Sequence, residues 1–226
     1  MLCIIQARYS SKRLPGKVLK KISGTTVLKR VINQVKKSKK ISKIIIATSK
    51  HKADKKITNF CNKNKIPCAS GPLNNVFKRF YSVIVHEKCN SFVRISADSP
   101  LIDPSLIDKA VTIFKKSRYD IVTNVFPRTF PKGFSVEVIN SKLIKDFILK
   151  IKKKRHKEHL TSFFYDHCKK FKIKNFYSKI NNSKINLSID TFSDFVKTQK
   201  ILKLCKKNNC SLEYILHIHK KLFNEK

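Results

Sequence analysis

Short apolar runs alternate with amphipathic stretches along the chain. Runs rich in Ile, Val and Phe predict strands at 2–7, 43–48, 66–70, 91–97, 120–123 and 134–139. Apolar residues recurring at three- and four-residue intervals predict helices at 25–37, 53–62, 75–87, 104–116, 141–151 and 159–170. Two further strands, 171–177 and 184–189, and two closing helices, 191–206 and 211–223, complete the pattern. Strands joined through helices pair in parallel, because a parallel crossover needs a helix-length return. The expected fold is a three-layer α/β/α arrangement around a mainly parallel sheet. No internal repeat, low-complexity linker or break in composition divides the 226 residues, so the expectation is one domain spanning 1–226.

In open sheets of this kind, ligands gather beyond the carboxyl ends of strands where the strand order reverses. Three chemistry-bearing segments fall at such ends. The first apolar run, Leu2-Cys3-Ile4-Ile5, opens directly into Gln6-Ala7-Arg8-Tyr9-Ser10-Ser11-Lys12-Arg13-Leu14-Pro15-Gly16-Lys17. Backbone N–H groups near Gly16 and the cations Arg8, Arg13 and Lys17 can converge there on a polyanion, Arg as a planar fork and Lys as a point charge. The glycine–lysine spacing of a P-loop is absent. The second segment is Arg94-Ile95-Ser96-Ala97-Asp98-Ser99-Pro100, followed by Leu101-Ile102-Asp103-Pro104. Asp98 ends a strand and suits Mg²⁺ held against nucleotide phosphates, whereas Asp103 before a proline is placed to cap the next helix. The third is Asp190-Thr191-Phe192-Ser193-Asp194, where Asp190 reads either as a helix cap or as a second metal ligand and Asp194 as a first-turn cap.

Charge widens the field of functions. With 51 Lys and Arg against 14 Asp and Glu, the formal net charge is +37, which ordinarily points to nucleic acid or an anionic surface. Only eight of the basic residues are Arg, and Lys is spread through every segment. The charge therefore reads as solvated surface, with salt-sensitive RNA contact as a side effect and no specific nucleic-acid partner. The seven cysteines (Cys3, Cys61, Cys68, Cys89, Cys168, Cys205, Cys210) form no C-x-x-C pair and read as reduced thiols. No apolar run approaches the ~20 residues of a membrane span, and the N-terminus lacks a signal-peptide pattern, so no membrane insertion and a cytoplasmic location are expected.

Ile5-Gln6-Ala7-Arg8, Ser11 and Arg13-Leu14-Pro15-Gly16-Lys17 together resemble the signature of the cytidylyltransferases that activate sugar acids, and the likeness recurs along nearly the whole chain. The nearest likeness is to the group associated with spore-coat polysaccharide biosynthesis. The resemblance implies a Rossmann-like sheet of the nucleotide-diphospho-sugar transferase type. It also implies transfer of CMP from CTP to a sugar acid with release of pyrophosphate, dependent on Mg²⁺ or Mn²⁺. It carries nucleotide contacts over to Gln6, Ala7, Arg8, Ser11, Arg13, Lys17, Arg79 and Arg94, with Arg13, Lys17 and Asp98 catalytic, and metal ligation to Asp98 and Asp190. Pro131-Lys132-Gly133-Phe134-Ser135-Val136-Glu137 resembles the element lining the sugar-acid side, which assigns Lys132, Gly133 and Glu137 to the acceptor. Lys157-Glu158-His159-Leu160-Thr161 resembles an element opening a helix over the site, which adds Glu158 and His159. Asn75 stands where relatives carry Asp; as a helix cap Asn serves equally. The resembling enzymes commonly form homodimers, although no interface is legible here. Another nucleotidyltransferase or a nucleotide-sugar glycosyltransferase on the same sheet, and a basic RNA-binding protein, are the alternatives.

Overall fold

A computed structural model describes residues 1–205 and 211–223. In chain order its elements begin with β1 (Leu2–Gln6), the small hairpin β2 (Lys21–Ile22) and β3 (Thr25–Thr26), α1 (Val27–Lys36), β4 (Lys43–Ser49) and α2 (Lys55–Lys63). Then come β5 (Cys68–Gly71), α3 (Val76–His86), β6 (Ser91–Ser96), α4 (Pro104–Lys116), β7 (Ile121–Thr123) and β8 (Glu137–Asn140). The chain continues through α5 (Ser141–Phe147), α6 (Lys154–Glu158), α7 (Ser162–Asp166), β9 (Ile173–Asn175), α8 (Phe192–Leu204) and α9 (Leu212–Phe223).

Seven strands form one sheet in the order β5-β4-β1-β6-β8-β7-β9. All run the same way except β8, which is antiparallel to β6 and β7. Because side chains alternate across a strand, β1 sends Cys3 and Ile5 to one face and Leu2 and Ile4 to the other. The first face packs on α1, α4, α8 and α9 and the second on α3, α5 and α7, which gives the three layers. From β1 the order steps outward through β4 and β5 on one side and through β6 on the other. The reversal point therefore lies between β1 and β6.

The helix starts follow from local polar chemistry. Thr26, Asn75, Asp103, Asn140 and Thr191 each accept a backbone N–H in the first turn of α1, α3, α4, α5 and α8. Asn75 therefore caps, as its sequence position allows, and Asp103 does so with Pro104 at the first helical position. At the third segment the cap is Thr191, not Asp190. Thr191 and Asp194 form a reciprocal capping box in which Asp194 also accepts from the Asp190 N–H, leaving the Asp190 carboxylate free to point elsewhere.

Several expected elements differ, the helix expected at 141–151 among them, which ends at Phe147. The strand expected at 134–139 starts at Glu137, because the Asn124 side chain takes the Phe134 carbonyl and the Val136 N–H at 2.8 and 2.9 Å. The helix expected at 159–170 breaks into α7 and a final turn, because His159 is extended and Thr161 turns inward to Glu137 at 2.8 Å. The strand expected at 184–189 joins the sheet by no ladder. It is extended chain bridging Lys132 through Asn186, with the Ile189 N–H on the Asp98 carbonyl at 2.9 Å. The closing helix expected at 191–206 ends at Leu204 among the described residues; Lys206 and Cys210 lie outside them. Cys3, Cys61, Cys68, Cys89 and Cys168 are free thiols.

Candidate active site

The loop leaving β1 folds back on itself. The N–H groups of Ser11 and Gly16 both donate to the Tyr9 carbonyl at 2.9 Å, and Gly16 closes the turn at φ 69°. That left-handed φ favours glycine, and a Cβ there would press on the end of the Tyr9 ring at 2.7 Å. The Tyr9 N–H donates to Asp54 at 2.6 Å, and the same fully buried carboxylate accepts from Ser49 at the end of β4. A buried acid on the neighbouring strand's exit thus anchors the cationic loop.

Lys17 leaves this loop pointing into the protein. Its ammonium donates to Asp98 Oδ2 at 2.7 Å, to the Ile189 carbonyl at 2.7 Å and to Asp190 Oδ1 at 2.9 Å. Asp98 Oδ1 accepts from Ser96 at 2.7 Å, and Asp190 Oδ2 faces exposed Arg13 at 3.3 Å. Burial raises the Asp190 pKa, but the Lys17 hydrogen bond and charge, with Arg13 and Lys132, outweigh it and hold the carboxyl below its ordinary value.

Around these groups lies a cavity of about 550 Å³ at the reversal point between β1 and β6. Of the residues singled out in the sequence, it brings together Gln6, Arg8, Ser11, Arg13, Lys17, Asp98, Asp190, Glu158 and His159. Arg8 reaches Glu158 of α6 at 3.4 Å, both side chains being about half exposed. Ala7 is buried in β1's extension, its N–H on the Ala47 carbonyl.

A second cavity of about 290 Å³ shares Ser96 and His159 with the first and is lined further by Arg94, Arg128, Ser135, Glu137, Thr161 and Tyr165. Arg94 therefore faces this cavity, not the larger one; its guanidinium pairs with Glu137 and reaches Gln6 Oε1 at 3.2 Å. Glu137 is buried and fully engaged, accepting from Arg94, from Thr161 and from the Tyr165 hydroxyl. Burial and the neighbouring carboxylate push the Tyr165 phenol well above its ordinary value, so it stays a donor. Arg128 contacts Ser135 Oγ at 3.1 Å and the Pro131 carbonyl at 3.5 Å and has no acid within ion-pair distance among the described residues. Burial lowers its pKa, Glu137 and Tyr165 partly opposing. Lys132 and Gly133 line neither cavity. Gly133 instead lies against the backbone of Leu187 and Ser188, on the segment that delivers Asp190.

Arg79, on α3 one turn beyond the cavity residue Val76, is 2 % exposed, and all three of its side-chain nitrogens are buried without a hydrogen-bond partner. Burial lowers its pKa to about 10, with Asp54 opposing and Arg8 adding to the fall. Gly71 makes room for it: a Cβ there would meet Arg79 Cγ at 2.6 Å.

No group of three or more acids, histidines or cysteines gathers around a common point among the described residues. His156, the one histidine of α6, is buried on Asp166 at 2.9 Å, which takes it out of a zinc set with His159. The oxygens of Asp98, Asp190 and Ile189 do converge on one cation, the Lys17 ammonium. Two carboxylates and a carbonyl are the hard donor set that Mg²⁺ or Mn²⁺ takes when substrate phosphates complete its shell, so the residues present fit such an ion. Sequence reasoning missed Asp54, Arg128 and Tyr165.

Comparison with known proteins bears on family and fold. A family model described as cytidylyltransferase matches residues 2–226. An uncharacterised protein of Methanocaldococcus jannaschii is 35 % identical over 196 residues, covering 85 % of this chain and 79 % of that protein. The spore coat polysaccharide biosynthesis protein SpsF of Bacillus subtilis is 28 % identical over 204 residues, covering 86 % and 83 %. The solved structure of a cytidylyltransferase from Leptospira borgpetersenii superposes with a TM-score of 0.92 at 26 % identity, over 97 % of this chain and 94 % of that one.

Proposed function

The chain belongs to the cytidylyltransferase family, and on that premise we propose that it makes a CMP-sugar from CTP and an acidic sugar for a surface polysaccharide. The observation that carries this reading is the larger cavity, where Arg8, Arg13 and Lys17 stand opposite Asp98 and Asp190. Arg8 and Arg13 would hold the outer phosphates and stabilise the charge that develops on leaving pyrophosphate. Asp98 and Asp190 would hold the divalent cation, which when bound neutralises phosphate charge and lowers the pKa of a nearby hydroxyl. Ser96 and His159, common to both cavities, mark where an acceptor hydroxyl would meet the α-phosphorus in line.

Arg79 lines neither cavity, and it would supply base selection once the wall over its guanidinium, one turn behind Val76, opens to the base. Cytosine presents adjacent acceptors, O2 and N3, whereas uracil carries a donor at N3. A buried guanidinium with unused N–H groups satisfies the first and clashes with the second. In the second cavity Glu137 would position Arg94, Thr161 and Tyr165 without touching substrate. Arg128, lacking an acid of its own, would pair with the acceptor's carboxylate. Lys132, Gly133 and Glu158 would shape the two mouths. We place the enzyme in the cytoplasm, where CTP is made; no helix among the described residues is long and apolar enough to cross a membrane.

The test is pyrophosphate release from each of the four nucleoside triphosphates with Mg²⁺ and a panel of sialic, legionaminic, pseudaminic and octulosonic acids. Release with CTP and one acidic sugar, suppressed by chelator, is the expected result. Equal turnover of all four triphosphates, or release indifferent to every acidic sugar, would overturn it.

A further inference from the structure

Lys17 has three N–H groups, and each is used: on Asp98 Oδ2, on the Ile189 carbonyl and on Asp190 Oδ1, at 2.7 to 2.9 Å. The side chain is 8 % exposed. These oxygens are the donor set that suits a divalent cation, and two cations cannot share them. The ammonium is also the group whose place in the loop, next to Gly16, aims it at phosphates once its bonds are released. We propose that Lys17 is a resident counter-ion. Without nucleotide it occupies the metal position and holds the two carboxylates together. It leaves for the triphosphate when CTP and the divalent cation arrive together.

The energetics favour exchange over simple displacement. Expelling Lys17 with no anion to receive it gives up three hydrogen bonds and both ion pairs, so the metal alone competes poorly. A triphosphate in the same cavity offers Lys17 replacement oxygens, while the metal replaces Lys17 between the acids. Each ligand then removes a cost of binding the other, and by linkage the two enhancements are equal. Lys17 carries its charge on a flexible four-carbon stem, so Nζ can move while the turn it starts stays in place. The consequence is an enzyme that binds divalent cations weakly until CTP is present. This rests on the reading of the larger cavity as the CTP site.

Two measurements test it. Mn²⁺ binding without nucleotide is read by the electron paramagnetic resonance of the free ion, for the wild type and for Lys17→Met. The variant is expected to bind at least tenfold more tightly, and to lose that gain when Asp190→Asn is added. Its melting temperature is expected to fall without metal and to recover with Mn²⁺, while the wild type responds little. Equal Mn²⁺ affinity in the two proteins would overturn the inference. Because Lys17→Met leaves two acids facing each other and can fail to fold, the second measurement uses the wild type: anomalous diffraction from crystals soaked with Mn²⁺ alone or with CTP. Mn²⁺ between Asp98 and Asp190 only with CTP, and Lys17 Nζ on a phosphate oxygen, is expected. Mn²⁺ there in both crystals overturns the exchange and leaves the CTP reading standing. Absence of Mn²⁺ from the two acids with CTP bound overturns both.

Discussion

Arg79 is buried with all three side-chain nitrogens unsatisfied, an arrangement that costs the free protein stability. Removing such a charge in favour of an apolar side chain often stabilises a protein, whereas removing a structural pair does the opposite. Arg79→Met is therefore expected to raise the melting temperature while lowering kcat/KM for CTP about 10- to 100-fold, the range for losing hydrogen bonds to a charged donor. Its preference for CTP over UTP should shrink in parallel. A fall in melting temperature with CTP kinetics intact would show that Arg79 serves the fold. Arg8, Arg13, Lys17, Asp98 and Asp190, which line the larger cavity, follow strand exits, where the apolar pattern announces itself. Asp54 and Arg128 do not: Asp54 looks like any polar residue opening a helix, and Arg128 lies between two prolines. One signal was available. In a chain whose cations are nearly all Lys, five of the eight arginines (Arg8, Arg13, Arg79, Arg94 and Arg128) lie in or beside the two cavities. Where a point charge would serve, this chain mostly uses Lys, so these five mark places that suit the fork.

At the scale of elements, strand and helix order was legible because each buried strand is a compact apolar run between capped helices. The direction of β8 was not, since alternation carries no sign of which way a strand runs. Nor was the 185–190 segment, whose strand-like pattern reflects burial of Leu187 and Ile189 against the core without a ladder. That segment is held by backbone bonds to Lys132 on one side and Asp98 on the other, and Gly133 sets how closely it approaches. Gly133 has φ +97°, and a Cβ there would meet the Leu187 carbonyl carbon and oxygen at 2.7 Å. Gly133→Ala must therefore push on the chain three residues before Asp190. The expected outcome is a loss of kcat of at least tenfold with a melting temperature lowered by several degrees, as suits strain of ~1–3 kcal/mol. A Thr191→Ala control, which removes the α8 cap at a cost of about 1 kcal/mol, should lower stability by a similar amount while sparing more of kcat. If both variants lose activity in proportion to stability, the glycine does not act through Asp190.

At the scale of the whole molecule, the charge of +37 lies on the surface, because 51 Lys and Arg face only 14 Asp and Glu and the acids are largely engaged. Asp54, Asp98, Asp103, Asp108, Glu137 and Asp194 are each tied into hydrogen bonds, while most lysines stand in water. Such a field draws in any polyanion, CTP and RNA alike, and is screened beyond ~10 Å at 0.1 M salt. The two ligands should separate under salt. Each phosphate of a single strand neutralised by scattered lysines adds about −0.7 to the slope of log affinity on log salt. A strand held at about five phosphates then weakens roughly a hundredfold between 50 and 200 mM salt. CTP in a formed cavity keeps its close contacts, so kcat at saturating CTP should stay flat and kcat/KM should fall less than tenfold. Titration of a labelled oligonucleotide alongside pyrophosphate release at the same salts measures both. RNA affinity that holds at 200 mM, or RNA that competes with CTP there, would mean the lysines form a built nucleic-acid surface. Steep loss of RNA with retained turnover would leave them as the solvated exterior of a nucleotide enzyme.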